Sequence, residues 1–345
     1  MSDISTNIKI TPSQAIDFVQ MALKASLVPF LRGSPGIGKS DIAKTVAANY
    51  GLELIDIRLS QCDPTDLNGF PSIVNGKATY VPMDIFPLEN DPLPPGKNGW
   101  LIMFDELPSA LPAIQAAAYK ILLDKMVGMH KLHPNVAMMA AGNLDTDNAI
   151  AYPMSTALQS RMTHAELEIN FEDWMNWADA NNINTFVKFF LKFAPGNLYN
   201  FSPDHQDSTY ACPRTWHKAS NLMDEGCDLD TPVGIALMAG TVGQGSAREM
   251  AAWLKCFGKI PDIQTILADP VNTPLPNEMA TRFALSTSLA MAMDANNATT
   301  LMTYIQRLDT EFSMLAVREA IRKNVKLVVV PAVKTWTKEN YTELS

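Results

Sequence analysis

The chain has 345 residues, 47% of them hydrophobic and 18% charged, with six Trp and fourteen Phe. That balance excludes a disordered chain, and the length allows two or three domains that each bury a core. A net charge of -9 argues against a protein that wraps nucleic acid through its overall field, because neutralising phosphates needs a basic surface.

In chain order, TPSQAIDFVQMALKASL (residues 11–27) reads as a helix, with Thr11 as N-cap, Pro12 at the first helical position and apolar residues at helical spacing. VPFLRG is a short apolar run ending in glycine, which suits a buried strand, and SDIAKTVAANYG is a second helix closed by Gly51. LELIDIRLS follows as a strand. Residues 64–98 are rich in Pro, Gly and Asn and read as a long loop or a hairpin insertion. GWLIMFDE is a buried strand, SALPAIQAAAYKILLDKM a helix and NVAMMAAGN another strand. Strands alternating with helices at this spacing imply a mostly parallel sheet covered on both faces. Beyond Ile169 segments such as FEDWMNWADANN, NTFVKFFLKF and CPRTWHKASNLMDEG are helical in pattern. The expected organisation is an α/β domain over 1–169, a helical domain over 170–256 and a helical extension over 257–345.

Other features carry less chemistry. Cys62, Cys212, Cys227 and Cys256 lack metal-ligand spacing, and His130 with His133 supplies only two ligands, so no zinc site is expected. Arg318, Arg322, Lys323 and Lys326 near Glu311 and Glu319 read as a solvated helix face. The N-terminus MSDISTNIKI has no basic stretch followed by an apolar run, and LVVVPAV is far shorter than a membrane span. A cytoplasmic protein with no membrane contact is the expectation.

Gly33-Ser34-Pro35-Gly36-Ile37-Gly38-Lys39-Ser40 fits GxxxxGKS between an expected strand and an expected helix. Glycines let successive N–H groups turn toward phosphate oxygens, and the following helix N-terminus, with Asp41 in its first turn, points at that charge. Lys39 would reach the outer phosphates and Ser40 would ligate Mg²⁺. Downstream, the apolar strand WLIMF delivers Asp105 and Glu106 at its carboxyl end, where ligands bind in open α/β sheets. Asp105 suits Mg²⁺ and Glu106 suits polarising an attacking water. ATP and Mg²⁺ are therefore the expected cofactors. Asn143 ends a third strand; its amide could position that water, although its type alone fits a turn better.

The set GSPGIGKS, IMFDE, AAGN, ALQSRM and CPRTW, in this order, resembles the MoxR branch of the AAA+ ATPases over roughly residues 8–225. The region from GSAREMAAWLKCFGKIPD onward is more loosely similar to the C-terminal part of MoxR-like ATPases carried by bacteria and their phages. The resemblance implies a P-loop NTPase core followed by a helical lid, with nucleotide between them. It implies that Asn143 is sensor 1, Arg161 the arginine finger given to a neighbouring subunit, and Arg214 sensor 2. Such a finger implies a head-to-tail ring, usually a hexamer, and ~10³–10⁵ in rate. It implies a chaperone-like ATPase acting on a protein client, with a von Willebrand factor A domain protein as the typical partner. Without the resemblance, Arg161 would read as a surface partner of Glu166 or Glu168, and Arg214 as a partner of an acid such as Asp207.

Two departures stand out. Pro108 and Ser109 replace a usual Asn-Arg after the acidic pair, and Leu144 replaces a usual proline. Two insertions, from Asp63 and from Lys125, match in position the family's helix-2 insertion and the hairpin before sensor 1, and are candidates for touching a client. The apolar Met126, Val127 and Met129 could face a client or pack on the domain's own core. A DNA-associated motor is the alternative function, but the second insertion offers only Lys125, His130, Lys131 and His133 to a nucleic acid. A small-molecule kinase has little use for a trans arginine, and a dead scaffold would not keep Lys39, Asp105 and Glu106.

Overall fold

A computed structural model describes residues 8–147, 151–205 and 207–340. After β1 (Lys9–Ile10), helix α1 (Pro12–Lys24) starts at Thr11, whose hydroxyl accepts from the Gln14 N–H while the Gln14 side chain accepts from the Thr11 N–H. This reciprocal cap satisfies two donors that a helix start otherwise leaves orphaned. Next come β2 (Val28–Arg32), α2 (Lys39–Tyr50), which Gly51 closes in the left-handed conformation, and β3 (Leu52–Arg58).

Residues 64–98 hold a short helix, α3 (Pro64–Asn68), and a hairpin of β4 (Phe70–Val74) with β5 (Lys77–Val81). Then follow β6 (Gly99–Asp105), α4 (Pro112–Asp124), a tight hairpin of β7 (Met126–Val127) and β8 (His130–Lys131), and β9 (Val136–Gly142). The expected helix at SALPAIQAAAYKILLDKM begins later than its sequence suggests, because Leu107–Ser109 forms a separate tight turn. MSTALQSRM is helical only over α5 (Thr156–Gln159), and Met162 already enters β10 (Met162–Leu167).

The sheet runs β1-β10-β2-β9-β6-β3, and each pairing is parallel. Alternation along the central strands explains the two layers. Ile102 and Phe104 of β6 pack with Met138 and Ala140 of β9 against Ile114, Ala118 and Ile121 of α4. Leu101 and Met103, one residue out of phase, pack with Met139 and Ala141 against Val19 of α1 and Ile42 and Val46 of α2. A side-chain period of two thus feeds both faces, which is why these strands read as continuous apolar runs. Burying one such Phe or Leu stabilises by roughly 1.5–3 kcal/mol.

Past α6 (Phe171–Ala180), the described residues form helices and short turns without a further strand. They are α7 (Thr185–Phe193), α8 (Pro213–Asp224), α9 (Pro232–Val242), α10 (Gln244–Leu254), α11 (Ile263–Ala268), α12 (Met279–Ala292), α13 (Ala298–Ile305), α14 (Thr310–Lys323) and α15 (Pro331–Glu339). Among the described residues the chain divides into two compact units. One is drawn from Met1–Asn182, Tyr199–Gln206 and Cys212–His217, the other from Ile183–Leu198, Asp207–Ala211 and Lys218–Ser345.

The second unit has its own core, with Leu285 and Leu289 of α12, Leu301 and Ile305 of α13, and Phe312 and Val317 of α14. Lys192 and Glu319 form a buried ion pair within it. That corrects the sequence expectation for Glu319, which is no part of a solvated face. Arg318, Arg322, Lys323 and Lys326 lie at the surface as expected. No helix among the described residues is long and apolar enough to cross a membrane.

Candidate functional site

Because the sheet is parallel, the carboxyl ends of β2, β3, β6 and β9 come out along one edge. Register fixes how they line up: Arg32 pairs with Gly142, and Arg58 with Asp105. The pairing continues past β2, where the Gly33 N–H donates to the Gly142 carbonyl at 3.1 Å. Residues that directly follow these four strands are therefore neighbours in space, although long loops separate them in sequence.

The loop after β2 depends on its glycines. Gly36 and Gly38 have φ of +80° and +102°, a region that L side chains avoid. A methyl group at Gly33 would lie 2.6 Å from the Ile37 Cδ1, and one at Gly36 would lie 2.6 Å from the Cys212 Sγ. Gly38 is the N-cap of α2 and has no side chain to cap it, so the positive end of the helix dipole faces the loop.

Lys39 is only 8% exposed. Its Nζ donates to the Gly33 carbonyl, to the Ser34 carbonyl at 3.1 Å and to the Asn143 Oδ1 at 3.0 Å. Among the described residues it forms no ion pair. Burial lowers its pKa to about 8; Arg214 pushes the same way, while Asp105, Asp147 and Glu106 oppose the shift. A buried ammonium that is held by dipoles alone is poised for an anion.

At the end of β6, the Asp105 Oδ1 accepts from the Glu106 N–H at 2.8 Å. Glu106 adopts a left-handed backbone, φ 58° and ψ 31°, which costs about 1–2 kcal/mol for a residue with a Cβ. The turn aims its carboxylate across the edge, where the Ser60 hydroxyl donates to the Glu106 Oε2. Asp56, one strand over, has its carboxyl pKa raised by burial and then by Asp105.

On the β9 side, the Ser34 hydroxyl donates to Asp147 at 3.0 Å, and the Leu144 N–H donates to the same carboxylate at 3.1 Å. Arg32 and Asp145 pair at 2.9 Å. The segment after Asn143 thus clasps the loop at two points. From another direction, the Arg214 N–H donates to the Gly36 carbonyl at 3.2 Å.

The structure therefore brings Ser34, Lys39, Asp105, Glu106, Asn143 and Arg214 to one edge. Ser40 stands half-buried in the first turn of α2, with Pro35 half-buried and Ile37 buried in the loop before it. Asp41 is exposed, and its carboxylate pairs with Lys44 at 3.1 Å. Arg161 is not brought to the site. It lies just past α5, exposed, donating to the Ser160 hydroxyl at 3.4 Å, and it forms no hydrogen bond or ion pair with the site residues among the described residues. Nor does it pair with Glu166, which holds Lys9 at 3.4 Å.

Sequence reasoning missed Ser60, Asp147 and Cys212. Ser60 carries a readable signal, a hydroxyl just past a strand beside the acidic pair. Asp147 and Cys212 carry none, since only the tertiary fold brings them to the loop.

The two insertions also meet. The His130 Nε2 lies 3.3 Å from the Tyr80 carbonyl, and the His133 ring stands edge-on to Trp100. Val127 is fully buried in the sheet's core, whereas Met129 projects at 73% exposure. One apolar residue of that turn thus packs inward and another faces out.

Oxygen donors at this edge, the Asp105 carboxylate and the Ser40 hydroxyl among them, fit a hard cation such as Mg²⁺. Among the described residues no group of three or more His, Cys, Asp or Glu is arranged to hold a metal by itself. A cation here would need the oxygens of a phosphate to complete its shell, which suits Mg²⁺ bound with a nucleotide.

No protein-family model and no curated protein matches this sequence. Solved structures do show a distant likeness. A point mutant of Thermotoga maritima RuvB aligns with 13% identity and a TM-score of 0.42, covering 86% of this chain and 88% of that one. The T. maritima RuvB Holliday junction branch migration motor aligns at 13% and 0.40, covering 86% and 87%. A candidate ATPase from Cytophaga hutchinsonii aligns at 15% and 0.38, covering 90% and 79%. Likenesses this distant carry nothing about activity, which has to be argued from the residues.

Proposed function

We propose that this chain is an AAA+ ATPase of MoxR type, which binds Mg-ATP at Gly33–Ser40, hydrolyses it and works as a cytoplasmic ring on a protein client. One observation carries the reading: the buried, carboxylate-free Lys39 sits under a glycine loop while Asp105 and Glu106 emerge beside it. A loop suited to an anion and a pair of acids suited to its hydrolysis thus follow β2 and β6, with β9 between them.

In this reading the loop N–H groups and Lys39 hold the β- and γ-phosphates, and Lys39 exchanges its bond to Asn143 for one to phosphate. Asn143 and Glu106 orient the attacking water, and Glu106 accepts its proton as the oxygen bonds to the γ-phosphorus. The bond from that phosphorus to the bridging oxygen breaks, and ADP and inorganic phosphate leave. Mg²⁺, held by Ser40 and Asp105, would neutralise charge on the phosphates. Arg214 approaches the phosphates from its place beside Gly36, and Arg161 serves the site of a neighbouring subunit in a head-to-tail, six-membered ring. The exposure of Arg161 suits a residue whose partner lies outside its own chain. Residues 1–169 form the nucleotide-binding domain, 170–256 the lid and 257–345 an extension, and a protein with a von Willebrand factor A domain is the partner class.

Phosphate release from Mg-ATP tests this. Glu106→Gln should bind ATP normally and lose ~10²–10⁴ in turnover. Arg161→Ala should lose ~10³–10⁵ and regain part of it when mixed with Glu106→Gln, since the Glu106→Gln chain then lends its Arg161 to the intact Glu106 site of the Arg161→Ala chain. A wild-type chain that binds no nucleotide would sink the ATPase reading. A monomer whose Arg161→Ala variant hydrolyses normally would remove the ring. Capture of a partner by Glu106→Gln with ATP, absent without ATP, would identify the client.

A further inference from the structure

Gly36 is gripped from outside its own loop. The Cys212 side chain, 2% exposed, fills the space where Gly36 has no Cβ, and the Arg214 N–H donates to the Gly36 carbonyl at 3.2 Å. Thr215 fixes this grip. Its Oγ1 accepts from the Cys212 N–H at 2.8 Å, donates to the Cys212 carbonyl at 3.0 Å and lies 3.5 Å from the Sγ. The Trp216 N–H then bonds to the Cys212 carbonyl at 3.0 Å. The start of α8 is thus a small hydrogen-bonded knot, and two of its contacts land on Gly36, the loop glycine with φ +80°.

The chemistry of the contact is specific. The Gly36 carbonyl that Arg214 holds shares a peptide plane with the Ile37 N–H, so the contact fixes the direction of that donor as well. Shifting the knot would rotate the Gly36–Ile37 peptide and with it the Ile37 N–H, one of the donors the loop offers to phosphate. Hydrolysis as proposed above uses Arg214 through its guanidinium and gives Cys212 and Thr215 no role.

We propose that Cys212 and Thr215 are positioning residues of the phosphate loop: the Cys212–Thr215 knot holds the Gly36 peptide in its anion-binding orientation, so nucleotide binding and docking of the knot stabilise one another. This rests on the nucleotide-binding reading above. By linkage, whatever factor the docked knot adds to nucleotide affinity, bound nucleotide must add to docking.

The unmodified chain carries its own probe. Cys212 is buried, so alkylation there reports undocking of the knot, and the buried Cys256 reports wider opening elsewhere. With iodoacetamide and peptide-level mass spectrometry, saturating Mg-ADP should slow Cys212 labelling about tenfold, corresponding to ~1.4 kcal/mol of coupling, and leave Cys256 unchanged. Thr215→Val, which keeps shape and removes the hydroxyl, should speed Cys212 labelling and weaken ADP binding by a similar factor, raising KM for ATP more than it lowers kcat. Equal protection of both cysteines, or ADP affinity unchanged in Thr215→Val, would overturn the inference while leaving the nucleotide reading intact. Absence of ADP binding to the wild type by calorimetry would overturn both, and would be distinguished by that measurement alone.

Discussion

Two buried lysines, one in each compact unit, show how the same side chain can serve opposite ends. Lys192 in the helical unit is paired with Glu319, and both side chains are more than nine-tenths covered. Lys39 in the α/β unit is as deeply buried, yet its partners are two carbonyls and an amide, with Asp105 and Glu106 near but unpaired with it. A charge matched by a charge is finished: it fixes where α7 meets α14. A charge matched only by dipoles keeps most of its desolvation cost, and an anionic ligand can offset it.

The sharpest way to break this contrast is to neutralise each partner. Glu319→Gln strands the ammonium of Lys192 and should destabilise the helical unit by roughly 3–5 kcal/mol in chemical denaturation. Replacing both, Lys192→Met with Glu319→Leu, should come back to wild-type stability or above it. If the single variant costs nothing, the pair does not anchor α7 to α14.

Lys39→Met should do the reverse, abolishing ATP binding while raising stability, because an apolar group of similar length replaces a buried charge. The pH dependence follows from its pKa near 8 against 10.5 in an unfolded chain. Between those values the unfolded chain holds the proton and the folded chain does not, so stability rises with pH. The lysine's cost is fully present below about pH 8 and is relieved by pH 10.5, a change of about 3 kcal/mol. Nucleotide-free wild type and Lys39→Met, denatured at about pH 7.5 and about pH 10, should differ by that slope; parallel curves would show that Lys39 keeps its proton in the folded chain.

A smaller effect is expected at Ser60. Its hydroxyl donates to the Glu106 carboxylate, so Ser60→Ala should loosen the orientation of that carboxylate toward the attacking water. The loss in kcat should be about tenfold with KM unchanged, in line with one hydrogen bond to a charged group. The smallest concerns the β4–β5 hairpin, where Ile73 is 81% exposed. Ile73→Lys should alter stability by under about 0.5 kcal/mol, because the side chain is largely exposed among the described residues.

These residues also mark how far the sequence could be read. GSPGIGKS was legible because a phosphate loop is local: glycines, lysine and hydroxyl act within eight consecutive residues, and their spacing is itself the geometry. Asp105 and Glu106 were legible for a related reason, as an apolar strand delivers whatever follows it to the sheet's edge. The two-layered parallel sheet could be read from continuous apolar runs alternating with helical periods. β10 could not. MTHAEL places a histidine and a glutamate in a strand, and Glu166 is buried there by pairing with Lys9 rather than by being apolar.

What the sequence alone determined, then, are the elements and motifs whose physics closes within a few residues: the capped helix at Thr11, the strand ends and the glycine loop. Tertiary structure alone decided which distant groups meet there. Ser60 reaches Glu106, Asp147 reaches Ser34 and Cys212 reaches Gly36 because parallel register and the docking of α8 set those distances, and no local pattern encodes them. The same holds for the two lysines: only packing shows that one is matched by a carboxylate and the other is left for an anion.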